Sequence, residues 1–116
     1  PAKGYHFPDA PSVEYKGAVD SVALPALMEQ LQAALDRAVA ADTPTTQCVI
    51  AATEVDPQYL GTGFPMDKPV RVVGVAGNLL CPCGGTHVQR SSELGRVVIT
   101  QVKSKKGNTK VSYRVE

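Results

Sequence analysis

The chain has 116 residues, and 43% of them are hydrophobic and 20% charged, which excludes a disordered chain. There is no apolar run long enough for a transmembrane helix and no signal-peptide core at the N-terminus. Three cysteines form no disulfide framework. We therefore expect a single domain over residues 1–116, cytoplasmic and reduced, with no membrane partner.

The net charge of +1 conceals two segments of opposite sign. From His87 to Glu116 the chain has seven Lys or Arg and two acids, whereas the first 86 residues have five bases and nine acids. A basic segment can attract a polyanion, but lysines at a hairpin edge also discourage aggregation between strands. Charge alone favours the second interpretation.

The N-terminal third predicts a hairpin followed by a helix. Residues 4–17 form the hairpin, with Pro8 to Pro11 as its turn. Residues 22–40 form the main helix, which Asp20 or Ser21 can cap. The helix has one apolar stripe, expected to pack against a sheet, made of Leu24, Leu27, Met28, Leu31, Leu35 and Ala38.

Four later segments predict strands. Residues 47–53 form an apolar run that indicates a buried strand, with Cys48 as an inert packing residue. A lysine-rich turn around Gly107-Asn108 joins the last two strands. The segments expected to share one antiparallel sheet are 69–75, 96–102 and 109–115. The predicted fold class is α+β, a mainly antiparallel sheet of short strands with one principal amphipathic helix packed on it.

Residues 81–87, CPCGGTH, concentrate two cysteines and a histidine in one loop. The spacing is poor for a redox pair, the loop lacks the lysine of a phosphate-binding loop, and no third group orients a Cys–His nucleophile. Zinc suits the residue types best, because glycines allow Cys83 and His87 to face one ion. Two ligands are nevertheless fewer than zinc sites use, so the alternative interpretation is a structural turn with a buried cysteine. Cys81, His6 and Cys48 are the other soft ligands.

The stretch from residue 81 to residue 115 resembles the C-terminal part of the second additional domain of alanyl- and threonyl-tRNA synthetases, which free-standing alanyl-tRNA editing proteins share. The family pattern is Cys-x-Gly-Thr-His, a Ser/Thr-x-Glu-Ile/Leu-Gly turn and a basic two-stranded ending. The matching residues are Cys83, Gly85, Thr86, His87, Ser92, Glu93, Leu94 and Gly95. Residues 4–17, GYHFPDAPSVEYKG, also resemble the free-standing editing proteins.

This resemblance implies hydrolysis of the ester of mischarged tRNA, an alanine-type tRNA carrying a wrong small amino acid. The family's domains occur in synthetases and in free-standing editing proteins. It implies a Zn²⁺ held by Cys83 and His87 together with a His-x-x-x-His pair on an earlier helix, and this pair is absent here. We expect the chain to be the C-terminal part of a longer editing protein that holds zinc weakly or not at all by itself. Thr86 is a candidate contact to a substrate hydroxyl, although a turn-stabilising role is favoured, and Glu93 is expected to accept a turn or cap hydrogen bond.

The implied partner is tRNA, not DNA. The basic residues expected to contact the tRNA phosphates are Arg90, Lys103, Lys105, Lys106 and Lys110. The main alternative is a metal-free tRNA-binding module that keeps the fold without catalysis. From residue chemistry alone, a small structural zinc-knuckle protein is a third hypothesis.

Overall fold

A computed structural model describes residues 1–75 and 81–116. These residues form an α+β structure of short antiparallel strands with one main helix, as predicted. The strands are β1 (Lys3–Tyr5), β2 (Ser12–Lys16), β3 (Thr46–Ala51), β4 (Pro69–Gly74), β5 (Cys81–Pro82), β6 (Val97–Lys105) and β7 (Asn108–Val115). No helix in the described ranges is long and apolar enough to cross a membrane.

The chain divides into two compact units. The first contains Pro1–Val39 and Leu94–Glu116, and the second contains Ala40–Glu93. The first unit has a four-stranded antiparallel sheet in the order β1-β2-β7-β6. The second unit has a three-stranded sheet in the order β3-β4-β5.

Both predicted hairpins of the first unit are confirmed. β1 and β2 form the N-terminal hairpin, and β6 and β7 form the C-terminal one. The C-terminal turn lies one residue earlier than predicted, at Lys106-Gly107, where φ is 53° and 78°. Two successive positive φ angles give a two-residue turn whose twist matches that of the flanking strands.

Helix α1, Leu24–Ala40, follows a short 3₁₀ turn at Ser21–Ala23. Asp20 caps this turn by accepting a hydrogen bond from the Val22 amide at 3.0 Å. The predicted apolar stripe is half-buried along the helix, while residues on the other side are exposed. The periodicity therefore identified the inward face of the helix.

A glutamine on this face joins the helix to the sheet. The Gln32 side-chain amide donates to the Val97 carbonyl at 2.9 Å and accepts from the Ile99 amide at 2.8 Å. β6 is an edge strand, so its outward backbone groups have no neighbouring strand to bond. Gln32 thus supplies the donor and the acceptor that another strand would provide, next to a β-bulge between Ile99 and Gln101.

The second unit overturns two predictions. Residues 69–74 do not share a sheet with the C-terminal strands, because β4 pairs with β3 and β5 instead. Cys48 is exposed, since β3 is an edge strand and most of its residues face solvent. The core of the unit lies around β4 and the segment after β3, where the buried residues are Ala52, Val55, Val70 and Val72.

The Gln32 contact gives a prediction for stability. Gln32→Ala should lower the free energy of unfolding by about 1–2 kcal/mol, because it leaves Val97 O and Ile99 N without their partner. Gln32→Glu should also destabilise, since an ionised carboxylate cannot donate to the Val97 carbonyl. Gln30→Ala, at an exposed position of the same helix, is the control. Equal urea midpoints for the Gln32 and Gln30 variants would contradict this role.

Candidate functional site

The Cys-Pro-Cys loop leaves the edge of the sheet in the second unit. Cys81 and Pro82 form β5, opposite Val73 and Val72 of β4. The ladder continues for one more bond, because the Cys83 amide donates to the Arg71 carbonyl at 3.1 Å. The backbone of Cys83 is therefore fixed to β4, whose paired residues form the rigid part of the unit.

The Arg71 side chain holds the rest of the loop. One guanidinium nitrogen, Nη1, donates to the Cys83 carbonyl at 2.9 Å and to the Gly85 carbonyl at 2.7 Å. The other, Nη2, donates to the Gln47 side-chain carbonyl. The planar guanidinium suits such multiple contacts, and it bridges β3, β4 and the loop. Sequence reasoning did not identify Arg71, since nothing in a lone arginine on a predicted strand signals this role.

Cys83 and His87 each lie close to Gly85. A Cβ built at Gly85 would lie 3.7 Å from the Cys83 sulfur, and His87 Nδ1 lies 3.1 Å from the Gly85 carbonyl. The carbonyl can only accept, so this hydrogen bond puts a proton on Nδ1 and leaves the Nε2 lone pair of a neutral ring available. Histidines that bind metals commonly have this second contact, which fixes the tautomer.

These two side chains suit zinc in chemical type but form an incomplete ligand set. Among the described residues there is no group of three or more His, Cys, Asp or Glu side chains that could hold a metal. Cys81 is half-buried in β5. In the first unit, His6 Nδ1 lies 2.7 Å from the Tyr113 hydroxyl, whose pKa is raised by burial.

A pocket of about 320 Å³ lies beside His87. It is lined by Thr45, Gln47, His87, Val88 and Gln89. Gln47 is the residue whose carbonyl oxygen Arg71 engages, which orients its amide group. One backbone hydrogen bond joins two of the lining residues, since the Thr45 amide donates to the Gln89 carbonyl at 2.7 Å. The pocket is therefore polar and has a fixed lining next to the free edge of the His87 ring.

Thr86 and Glu93 occupy different settings. Thr86 is exposed, and its hydroxyl makes no hydrogen bond to the described residues. The turn-stabilising role that the sequence favoured therefore has no side-chain hydrogen bond behind it. Glu93 lies in the 3₁₀ turn Ser91–Leu94. Its carboxylate accepts a hydrogen bond at 3.4 Å from the backbone amide of Gln89, which precedes the turn. Its predicted role as a local acceptor is confirmed.

Arg90 is held in an ion pair within the second unit. Its Nε lies 2.9 Å from the Asp42 carboxylate, and its Nη2 donates to the Asp42 carbonyl. Hydrogen bonds from Arg90 and then from the Ser92 hydroxyl lower the pKa of Asp42 below its usual value. Part of the Arg90 charge is thus neutralised locally, and its contact with phosphate stays a prediction.

The four-stranded sheet of the first unit has one face rich in lysine. Residues paired across strands project to the same face, so the row Lys3, Glu14, Lys110 and Lys103 lies on one side. Lys16 and Lys105 lie on the same side in the next row, separated by Asn108. We call Lys3, Lys16, Lys103, Lys105 and Lys110 the basic face.

The lysines of the basic face are exposed, and none forms a salt bridge with the described residues. The opposite face is apolar, with Val13, Val111 and Val102 paired in a row. Sequence reasoning identified the two lysines on β6 and the one on β7 but missed Lys3 and Lys16. Lys3 and Lys16 are far in sequence from the lysines of β6 and β7. The only pattern that could have indicated their position was the period-2 alternation of β2.

The C-terminal part of the chain, residues 70–116, matches the family model described as the threonyl and alanyl tRNA synthetase second additional domain. The matched segment contains β4, the Cys83–His87 loop and the β6–β7 hairpin. The resemblance inferred from the motif is therefore confirmed for this segment. No curated protein matches the chain.

The Arg71 contacts predict how the loop responds to mutation. Arg71→Ala should raise the alkylation rate of Cys83 by iodoacetamide roughly fivefold, as expected for losing ~1 kcal/mol of local stability. Exposed Cys48 serves as the internal reference, with each cysteine quantified by tandem mass spectrometry. Arg37→Ala, on the exposed side of α1, is the matched control and should leave the ratio unchanged. An unchanged ratio in Arg71→Ala would show that the loop holds its shape without the guanidinium.

Proposed function

We propose that this chain is part of a hydrolase that edits mischarged tRNA, because residues 70–116 match the family model of the threonyl and alanyl tRNA synthetase second additional domain. The substrate is the ester of an alanine-type tRNA that carries a wrong small amino acid. Water adds to the ester carbonyl, the bond to the terminal ribose oxygen breaks, and a free amino acid and an uncharged tRNA leave.

The observation that carries this proposal is that Cys83 and His87 each lie close to Gly85, with His87 lining a polar pocket. Cys83 Sγ and His87 Nε2 would hold one zinc ion, with further ligands from outside the described residues. A zinc ion bound there would polarise a carbonyl, orient the amino acid or lower the pKa of water. The chain's own part is to hold the ring of His87 in one tautomer and to keep the loop in place through Arg71.

Two further groups suit an aminoacyl ester. The Thr86 hydroxyl has no hydrogen bond to the described residues, so it is available to a hydroxyl or amine of the amino acid. The Gln47 amide lines the pocket and is oriented by Arg71. A polar pocket of this kind suits a small, polar aminoacyl group better than a large apolar one, because its side chains can form hydrogen bonds with such a group.

A metal-free tRNA-binding module is the second candidate function. The lysines of the basic face favour it, because they are exposed, form no salt bridge with the described residues and are available to phosphates. The two candidates differ in zinc content and in hydrolysis. Elemental analysis and a deacylation assay should be run on this chain and on the chain extended upstream to include a His-x-x-x-His segment.

For the editing hydrolase, Cys83→Ala in the extended protein should abolish deacylation of mischarged tRNA and remove the bound zinc. The thermal unfolding midpoint of the metal-free protein should stay the same, because Cys83 is held by its backbone amide and carbonyl. Cys48→Ala is the matched control, since Cys48 is exposed on an edge strand. Full activity of the Cys83 variant would contradict the proposal.

The lysines give a separate prediction for tRNA binding. Changing Lys103, Lys105, Lys106 and Lys110 to Glu should weaken binding and flatten its salt dependence, by up to about 4 in the log–log slope. Lys68→Glu is the control, because Lys68 is an exposed lysine in the second unit. A filter-binding titration at several salt concentrations measures the slope. An unchanged slope would mean that these lysines only solubilise the hairpin.

A further inference from the structure

Two exposed aromatic rings stand at the end of β1, on the sheet that carries the basic face. Tyr5 is 39% exposed and Phe7 is 65% exposed, and their ring centroids are 5.1 Å apart. Tyr5 and Lys3 are two residues apart on β1, so both project to the lysine-rich side. Large exposed rings are costly in water and are enriched where a protein binds a partner.

The Tyr5 ring is held in one orientation. Its hydroxyl lies 3.0 and 3.1 Å from the two carboxylate oxygens of Asp9, to which it donates a hydrogen bond. Asp9 belongs to the turn between β1 and β2, so this hydrogen bond ties the Tyr5 ring to the turn. A ring that is already oriented loses little conformational entropy when a flat ligand stacks on it.

Tyr5 also lines an open pocket of about 320 Å³. The other residues of its lining are Lys3, Asp9, Ala10, Ser12, Glu14 and Lys110. Lys3 and Lys110 both flank Glu14 across the sheet, and neither forms a salt bridge with the described residues. One pocket therefore combines an aromatic ring, two unpaired ammonium groups and two carboxylates.

We propose that this pocket and the Tyr5–Phe7 pair bind an unpaired nucleotide of a single-stranded RNA segment. The base stacks on the aromatic rings, and the flanking phosphates lie against Lys3 and Lys110. Stacking on exposed aromatics with phosphate contacts on either side is the usual way in which proteins hold single-stranded nucleic acid. The choice of RNA rests on the proposed function, whereas the ring and charge arrangement stands on its own.

The carboxylates give the site a preference among bases. An ionised carboxylate accepts hydrogen bonds but cannot donate, so Glu14 suits an exocyclic amino group. Cytosine presents such a group where uracil presents a carbonyl oxygen, which a carboxylate repels. The two bases have the same ring size, so their comparison isolates the hydrogen bond from stacking. We expect oligocytidylate to bind more tightly than oligouridylate.

The test measures fluorescence anisotropy of end-labelled oligocytidylate and oligouridylate, eight nucleotides long, at low salt. Phe7→Ala and Tyr5→Leu should each weaken binding about tenfold, while Tyr5→Phe, which keeps the ring, should lose much less. Tyr15→Ala is the matched control, because Tyr15 is 43% exposed but projects from β2 to the opposite face. Circular dichroism confirms that each variant is folded.

Four outcomes would overturn the proposal. Wild-type affinity in the folded Phe7 and Tyr5→Leu variants would exclude stacking, and an equal loss in the Tyr15 variant would exclude this face. Equal binding of the two oligonucleotides, or an unchanged ratio in Glu14→Gln, would exclude the carboxylate preference.

The oligonucleotide assay is independent of the editing chemistry. Neither the ester nor Cys83 takes part in it, so Cys83→Ala should bind oligocytidylate like the wild type. If oligonucleotides fail to bind while mischarged tRNA is still hydrolysed, the nucleotide site is wrong and the proposed function stands. If they bind as expected but no ester is hydrolysed, the proposed function fails and the nucleotide site stands.

Discussion

The hydrogen bonds of Arg71 are the interaction on which the candidate site depends. A glycine-rich loop is conformationally permissive, and its carbonyls need donors if the loop is to keep one shape. Arg71 donates to the Cys83 and Gly85 carbonyls from a strand that is paired on both sides. Gly85 in turn accepts from His87 and lies against the Cys83 sulfur, so one guanidinium positions both candidate ligands.

The two units carry different kinds of functional groups. In the second unit, a small set of short-range contacts fixes a thiol and an imidazole, which are groups for a metal or an ester. In the first unit, strand pairing arranges lysines from β1, β2, β6 and β7 on one face, which suits a polyanion. The opposite face carries Val13 and Val111, which are half-buried.

Edge strands explain several features that the sequence pattern did not convey. β3 has a neighbouring strand on one side only, and most of its residues, including Cys48, are exposed although the run is apolar. β6 is an edge strand too, and Gln32 satisfies its outward backbone groups in place of another strand. Both findings follow from the strand order within each sheet, which is set by pairing between distant segments and not by local propensity.

The sequence by itself determined the main helix, predicted over 22–40 and observed over Leu24–Ala40, together with the two hairpins and the chemical character of Cys83 and His87. Periodicity, turn residues and ligand types are local properties. Only the tertiary structure decided that β4 joins the second sheet, that Arg71 holds the loop, and that Lys3 lies in one row with Lys103 and Lys110. These are contacts between segments far apart in the chain. They depend on which strands pair, and many pairings are compatible with the same local pattern.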